Sequence, residues 1–253
     1  MTKPAAPALV ALLERLIDYA GAFPPAALPC GAAVANFVTY RVGGRAWMLR
    51  WLVVSAADLD RVPPELDGAL SVLSDADNPR AAVIEAKRVV RAARPVYAEV
   101  PIAELDDVKQ SGCFAKLRTG GVTPDAIPSV AAVAAYIRAC ADLRLAFKAT
   151  AGLHHPVRAE HPLTYEPDAP RAVMHGFLNV FLAAAFAWHG ERDIEPVLAE
   201  TDPTAFRFDD RAHWRDRSLD AGQVRAARTH FAHAFGSCSF DEPVRDLEAL
   251  GLL

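Results

Sequence analysis

The sequence lacks the usual marks of secreted, zinc-stapled, nucleic-acid-binding or nucleotide-binding proteins. Its four cysteines, Cys30, Cys113, Cys140 and Cys238, are far apart and form no CxxC pair. That spacing argues against both a disulfide framework and a structural zinc site. There is no basic run with interleaved aromatics, and 27 Lys and Arg against 31 Asp and Glu leave a net charge of −4. Nothing in that balance calls for a nucleic-acid partner. No GxGxxG follows the first strand-like segment, and GxxxxGK[ST] and HExxH are absent. The most apolar stretch, 172–188, contains His175, Gly176 and Asn179. It is short for a membrane span and reads as a buried helix. The start, MTKPAAPALVALLERL, carries Glu14 and Arg15 within its apolar stretch. It reads as an amphipathic N-terminal helix rather than a signal peptide. The expectation is a cytoplasmic protein with no membrane partner. With no long linker, repeat or low-complexity tail, residues 1–253 read as one domain.

A rhythm of short β-like runs and helical runs fills the chain. Strand candidates are 50–55, 70–75, 95–101, 113–121, 146–152, 205–210 and 235–240, with 18–23 as an eighth. Helices are expected over 81–93, 128–142, 172–188, 220–233 and the C-terminal stretch DEPVRDLEAL. Strand–helix alternation implies parallel strands joined by crossovers. Eight such units in 253 residues favour a closed (β/α)8 barrel of TIM type, preceded by an N-terminal helix. An open doubly wound sheet is the alternative.

Alternate residues of a strand face opposite sides, one towards the barrel lumen and one towards the helices. Tyr97 and Glu99 share a face opposite Val96, Ala98 and Val100. Phe114, Lys116 and Arg118 oppose Ala115 and Leu117; Lys148 and Thr150 oppose Phe147 and Ala149. Arg207 and Asp209 oppose Phe206 and Phe208, and Ser237 and Ser239 oppose Cys238 and Phe240. An apolar face suits packing under helices, so the polar faces should point inwards. Buried charge is costly unless paired. Glu99, Lys116, Arg118, Lys148, Arg207 and Asp209 should therefore pair with one another or with a ligand. A solvated face of an antiparallel sheet, or a purely structural ion-pair network, would give the same alternation.

Lys116 and Lys148 should lie on the neighbouring fifth and sixth strands, where each disfavours the other's protonation. A neutral lysine can attack a carbonyl and form a Schiff base. Glu99 is placed to shuttle protons. Thr119-Gly120-Gly121 ends a strand, and its backbone N–H groups can approach an anion beside Arg118. A plain strand–helix turn would look the same. His154 and His155 follow the sixth strand, at the expected rim of a site. The long stretch 153–169 reads as a lid or as the contact arm of a homo-oligomer. If 18–23 is the first strand, Asp18 or Tyr19 also reaches the site.

FKATAGL (147–153) resembles the KTSTGF strand motif of the deoxyribose-phosphate aldolase family. KLRTGG (116–121) is similar to that family's second lysine motif, KxSGG, and FGSCS (235–239) to its last, phosphate-binding strand. The matches cover some twenty residues. The two lysine motifs occur in reversed order, and Arg118 stands where a smaller residue is expected. The resemblance implies a barrel in which Lys148 forms the Schiff base, Lys116 tunes it, and Gly236 and Ser237 meet an anionic group.

The leading expectation is thus a lyase of aldolase type acting on a small anionic carbonyl metabolite, without cofactor or metal. Lys148, Lys116, Glu99, His154 and His155 would be catalytic. Arg118, Gly120, Gly121, Arg207, Asp209 and Ser237 would bind the substrate's anionic end. Two alternatives stand beside it. One is a metal-dependent hydrolase or isomerase using His154, His155 and a carboxylate. The other is a non-catalytic binding or assembly protein on a barrel scaffold.

Overall fold

The computed structural model describes residues 5–253. In chain order the elements begin α1 (Pro7–Leu13), β1 (Ile17–Tyr19), α2 (Cys30–Tyr40), β2 (Leu49–Ser55), β3 (Leu70–Leu73), β4 (Ala81–Ala86) and β5 (Val96–Ala98). Then come α3 (Leu105–Gln110), β6 (Phe114–Arg118), α4 (Val130–Asp142), β7 (Phe147–Thr150), β8 (Ala159–Pro162), β9 (Arg171–Met174) and α5 (Phe177–Trp188). The last are α6 (Glu195–Ala199), β10 (Phe206–Phe208), β11 (Arg211–Trp214), β12 (Arg217–Asp220), α7 (Ala221–His230), β13 (Ala232–Ser237) and α8 (Asp241–Ala249). Strands β1 to β7 and β13 close into an all-parallel barrel in the order β1-β2-β3-β4-β5-β6-β7-β13. Closure is made by the pairs Ile17↔Phe235, Asp18↔Gly236 and Tyr19↔Ser237. The barrel is the expected TIM type. Among the described residues no helix is long and apolar enough to cross a membrane.

Four expectations about strands are corrected. Residues 81–86 form β4, between β3 and β5, instead of beginning a helix. AAVIEA is a short apolar run, and periodicity does not separate a buried strand from a helix over so few residues. Residues 206–208 are not in the barrel. They form the edge of an antiparallel sheet, β10-β11-β12, outside it. Their alternation is that of a half-exposed antiparallel strand. Arg207 is accordingly exposed, and Asp209 sits in the β10–β11 turn, accepting from the Arg211 amide at 2.7 Å. Neither belongs to the lumen. The last barrel strand is 232–237 rather than 235–240, and the first is 17–19. With β4 counted, Lys116 and Lys148 lie on the sixth and seventh strands, as directly paired neighbours.

The outer layer is apolar packing. Phe177 and Phe181 of α5 pack on Phe235 of β13, with ring centroids 5.2 Å and 5.9 Å apart. Phe231 meets Phe147 of β7 at 5.1 Å and Trp188 at 5.3 Å. Helix α5 is buried on every side from Phe177 to Ala187 because α4, α6, α7 and β13 surround it. That accounts for its apolar composition all round. Helix α4 starts at Ser129, whose hydroxyl accepts from the Ala132 amide at 3.1 Å. Helix α7 starts in a capping box between Asp220 and Gln223.

The one amide on α5 is fully used. Asn179 donates to the carbonyls of Val197 and Glu200 at 2.8 Å each and accepts from the Arg158 amide at 2.9 Å. It ties α5 to α6 and to the loop before β8. Asn179→Ala is expected to destabilise the fold by about 2–4 kcal/mol, since it strands several buried backbone groups. Denaturant unfolding checks this, with the midpoint moving and the slope unchanged.

Candidate functional site

The inner strand faces carry a column of alternating charge. Asp18 of β1 accepts from Lys148 Nζ of β7 at 2.6 Å. The same ammonium reaches Glu85 of β4 at 2.5 Å. The other Glu85 oxygen meets Lys116 Nζ of β6 at 2.9 Å. Lys116 also reaches Glu99, just past β5, at 3.2 Å. Glu99 in turn accepts from Arg118 Nε at 2.7 Å. Ser71 of β3 donates to Glu85 at 2.6 Å. Each charge is thereby flanked by the opposite sign, which is the condition for holding charge out of water.

The column runs from a sealed end to an open one. Asp18 and Lys148 are completely buried, Lys116 is 5% exposed, and the Arg118 side chain is nearly half exposed. Burial alone would lower the Lys148 ammonium, but Asp18 and Glu85 outweigh it and raise it above its ordinary value. Burial alone would likewise raise Glu85; Lys148, Lys116 and the Ser71 hydroxyl hold it well below the usual carboxylate range. The expected depression of Lys148 by a neighbouring ammonium is not met, because Glu85 stands between the two lysines. Lys148 is a locked cation, unsuited to nucleophilic attack at rest.

A cavity of about 320 Å³ opens over the column at the C-terminal ends of the strands. Its floor is Glu85 and Lys116, its walls include Phe23, Val53 and Leu73, and Arg118, Thr150, His154 and Cys238 stand around it. Leu163 and Met174, from the β8–β9 hairpin, roof it. This hairpin takes in the second part of the stretch 153–169, read from the sequence as a lid or contact arm.

The glycine turn splits in role. Gly121 lines the cavity, whereas Gly120 packs against Gly152 of the next loop. A Cβ on Gly152 would lie 2.8 Å from the Gly120 Cα, and Gly152 has φ +75°. Thr119 fastens the two loops, its hydroxyl donating to the Ala151 carbonyl at 2.5 Å. Gly120 therefore serves loop packing, and its place beside an anion rests on Gly121 alone.

His154 lies 3.3 Å from Glu242 and 3.9 Å from Cys238 Sγ through Nδ1. His155 points elsewhere, to Asp246 at 2.6 Å, and stacks on His161 at 3.5 Å. The two histidines thus serve different carboxylates. Among the described residues no group of three His, Cys, Asp or Glu side chains converges as a metal site. Ser237 is turned from the lumen: it pairs with Tyr19, whose hydroxyl faces Asn36 of α2 at 3.2 Å, and its own hydroxyl lies 3.5 Å from His154. Gly236 and Cys238 line the cavity in its place.

Sequence reasoning brought Lys116, Lys148, Glu99 and Arg118 together as the structure does, and flagged Asp18. It missed Glu85, Ser71 and Cys238 as site residues. Glu85 was legible in principle: in AAVIEA it shares a strand face with Val83, opposite Ile84 and Ala86. Compared with known proteins, the chain matches no family model, no curated protein and no solved structure.

Burial lowers the proton affinity of His154, but the Cys238 sulfur and Glu242 outweigh it and push its pKa up to about 9 from 6.5. The folded chain then binds this proton more tightly than the unfolded chain. Its stabilisation is complete below pH 6.5 and is lost as pH rises through about 9. Stability measured by denaturation is expected to decline over that window, and His154→Gln is expected to flatten the decline.

Proposed function

We propose that this chain is an enzyme acting on a small anionic carbonyl metabolite, with lyase chemistry of aldolase type through a lysine Schiff base. We assign the nucleophile to Lys116, and the locked Lys148 to the electrostatic support of Glu85. One observation carries this reading: of the two lumen lysines, only Lys116 faces the cavity. The position also suits the fold, since barrel enzymes work at the C-terminal strand ends.

At rest the Lys116 ammonium is held by Glu85 and Glu99, so a proton must leave before attack. Glu99 is a poor base in that state. Burial raises its carboxyl, but Arg118 and Lys116 outweigh this and hold it low. A substrate carboxylate or phosphate competing for Arg118 frees Glu99 from one of its cations. The proton affinity of Glu99 then rises when a base is needed. Glu99 takes the Lys116 proton, and the amine adds to the substrate carbonyl. Glu99 returns its proton as the adduct loses water to leave an iminium. The electrons of the bond between the α and β carbons then move into it as Glu99 takes the proton of the β-hydroxyl, and protonation and hydrolysis of the resulting enamine free Lys116. His154, at the rim and protonated at neutral pH, is placed to donate to the departing fragment. The apolar walls exclude water, and Arg118 with the Gly121 backbone orients the anionic end.

Reduction with borohydride in the presence of short keto acids and phosphorylated aldehydes tests this. A mass adduct mapping to the peptide that contains Lys116, and lost in Lys116→Gln, is the expected result. An adduct on Lys148 would overturn the assignment. No adduct with any carbonyl compound, alongside saturable binding of the same compounds, would favour a binding protein on the barrel scaffold.

A further inference from the structure

A second cavity, of about 410 Å³, lies at the opposite end of the barrel, where the strands begin. Four guanidinium groups line it, those of Arg15, Arg50, Arg225 and Arg228, against one carboxylate, Glu14. Glu14 is taken by Arg225 at 2.7 Å. Arg228 is spent on backbone carbonyls, including Leu12 at 2.8 Å and His233 at 2.5 Å. Those neutral acceptors position its charge without cancelling it.

Two cations remain without a close carboxylate partner. Arg50 donates through Nη2 to the Tyr97 hydroxyl at 3.3 Å, and that hydroxyl lies 2.7 Å from His233 Nδ1. The other nitrogen, Nη1, is buried without a hydrogen-bond acceptor and stands 4.0 Å from Asp18, whose Oδ1 is likewise buried without a donor. Asp18 is already held by Lys148. Arg15 is exposed and lies over the Trp51 ring at 4.7 Å; among the described residues no carboxylate reaches it within ion-pair distance. Trp51 Nε1 is a second buried donor without an acceptor. Unpaired buried donors are rare and costly, and they mark places where a ligand or water completes the structure. His233 adds no charge: burial, Arg50 and Arg228 push it down to about 3, so it remains a neutral acceptor for Tyr97.

We propose that this cavity binds a phosphate-type dianion, as inorganic phosphate or the end of a phosphate monoester. Arg15 and Arg50 are its principal ligands. Excess positive charge, two arginines without a close carboxylate partner and a cavity open to solvent are together complementary to such a group, which guanidinium binds through paired N–H donors. The site lies on the face of the barrel away from the lysines, and it is independent of the reaction proposed for them.

Calorimetric titration with inorganic phosphate at constant ionic strength provides the test. Saturable binding is expected, weakened about tenfold or more by Arg15→Gln and by Arg50→Gln. The titrations are made in the Arg118→Gln background, which removes the anion contact proposed for the other cavity. There Glu14→Gln removes the internal competitor and is expected to strengthen binding, whereas Arg88→Gln, at the surface beside Asp75, leaves it unchanged. Arg15 is at the surface, so its variant reports on binding even if Arg50→Gln impairs folding. Absence of saturation in the low-millimolar range would overturn the proposal. So would binding that survives Arg15→Gln at full strength, or that falls as far in Arg88→Gln.

Discussion

Charge inside a closed barrel must be compensated by more charge, because water is excluded and the strand faces leave no room to retreat. In this chain the requirement is met by the order Asp18, Lys148, Glu85, Lys116, Glu99, Arg118, drawn from five strands or their ends. Removing one of the buried members leaves its neighbours as uncompensated buried charges, a loss that costs about 3–5 kcal/mol in buried pairs. The rest of the lumen is arranged around this column. Ser71 supplies Glu85 with an added donor, and Tyr97 beneath links Arg50 to His233.

The same column gives its two lysines different characters. Lys148 has a carboxylate on either side and no exposure; Lys116 has the same partners in kind, but its upper neighbour, Glu99, shares its charge with a partly exposed arginine. The open end of the column can exchange Arg118's partner for a ligand, whereas the sealed end cannot. The proposed reactivity of Lys116 follows from that asymmetry, and the proposed role of Lys148 is to keep Glu85 ionised and in place. At the far end the column stops at Asp18, and Arg50 beyond it is left with an unused edge. That surplus is what the proposed anion site would satisfy.

Much of this was legible from residue parity. The alternations in 96–99, 114–118 and 147–150 fixed which side chains turn inwards, because each strand has one apolar face that must lie under helices. Parity failed where its premise failed. In 206–208 the same alternation arises from a strand with one face in solvent. In the last strand the polarity of Ser237 suggested the lumen, but a small hydroxyl satisfied beside His154 is no guide to facing. The register also shifts between Ala232 and Phe235, and one residue of slip exchanges the two faces. Glu85 was hidden because AAVIEAKRVVRAA has enough helical periodicity to mask a six-residue strand. The motifs that resemble those of the aldolases fall on the two lysines of this column, and their unequal burial is the ground on which the proposed roles of Lys116 and Lys148 depart from those the resemblance implies.

The central claim is that the two paired lysines differ in access, one sealed and one facing the cavity. Competitive acetylation of the folded protein with a small neutral reagent, read out by peptide mapping, tests it most directly. The account predicts that Lys116 is labelled in the native state and that an anionic ligand slows this. It predicts that Lys148 stays unlabelled until the chain unfolds. Native-state labelling of Lys148 at the rate of Lys116 would contradict it.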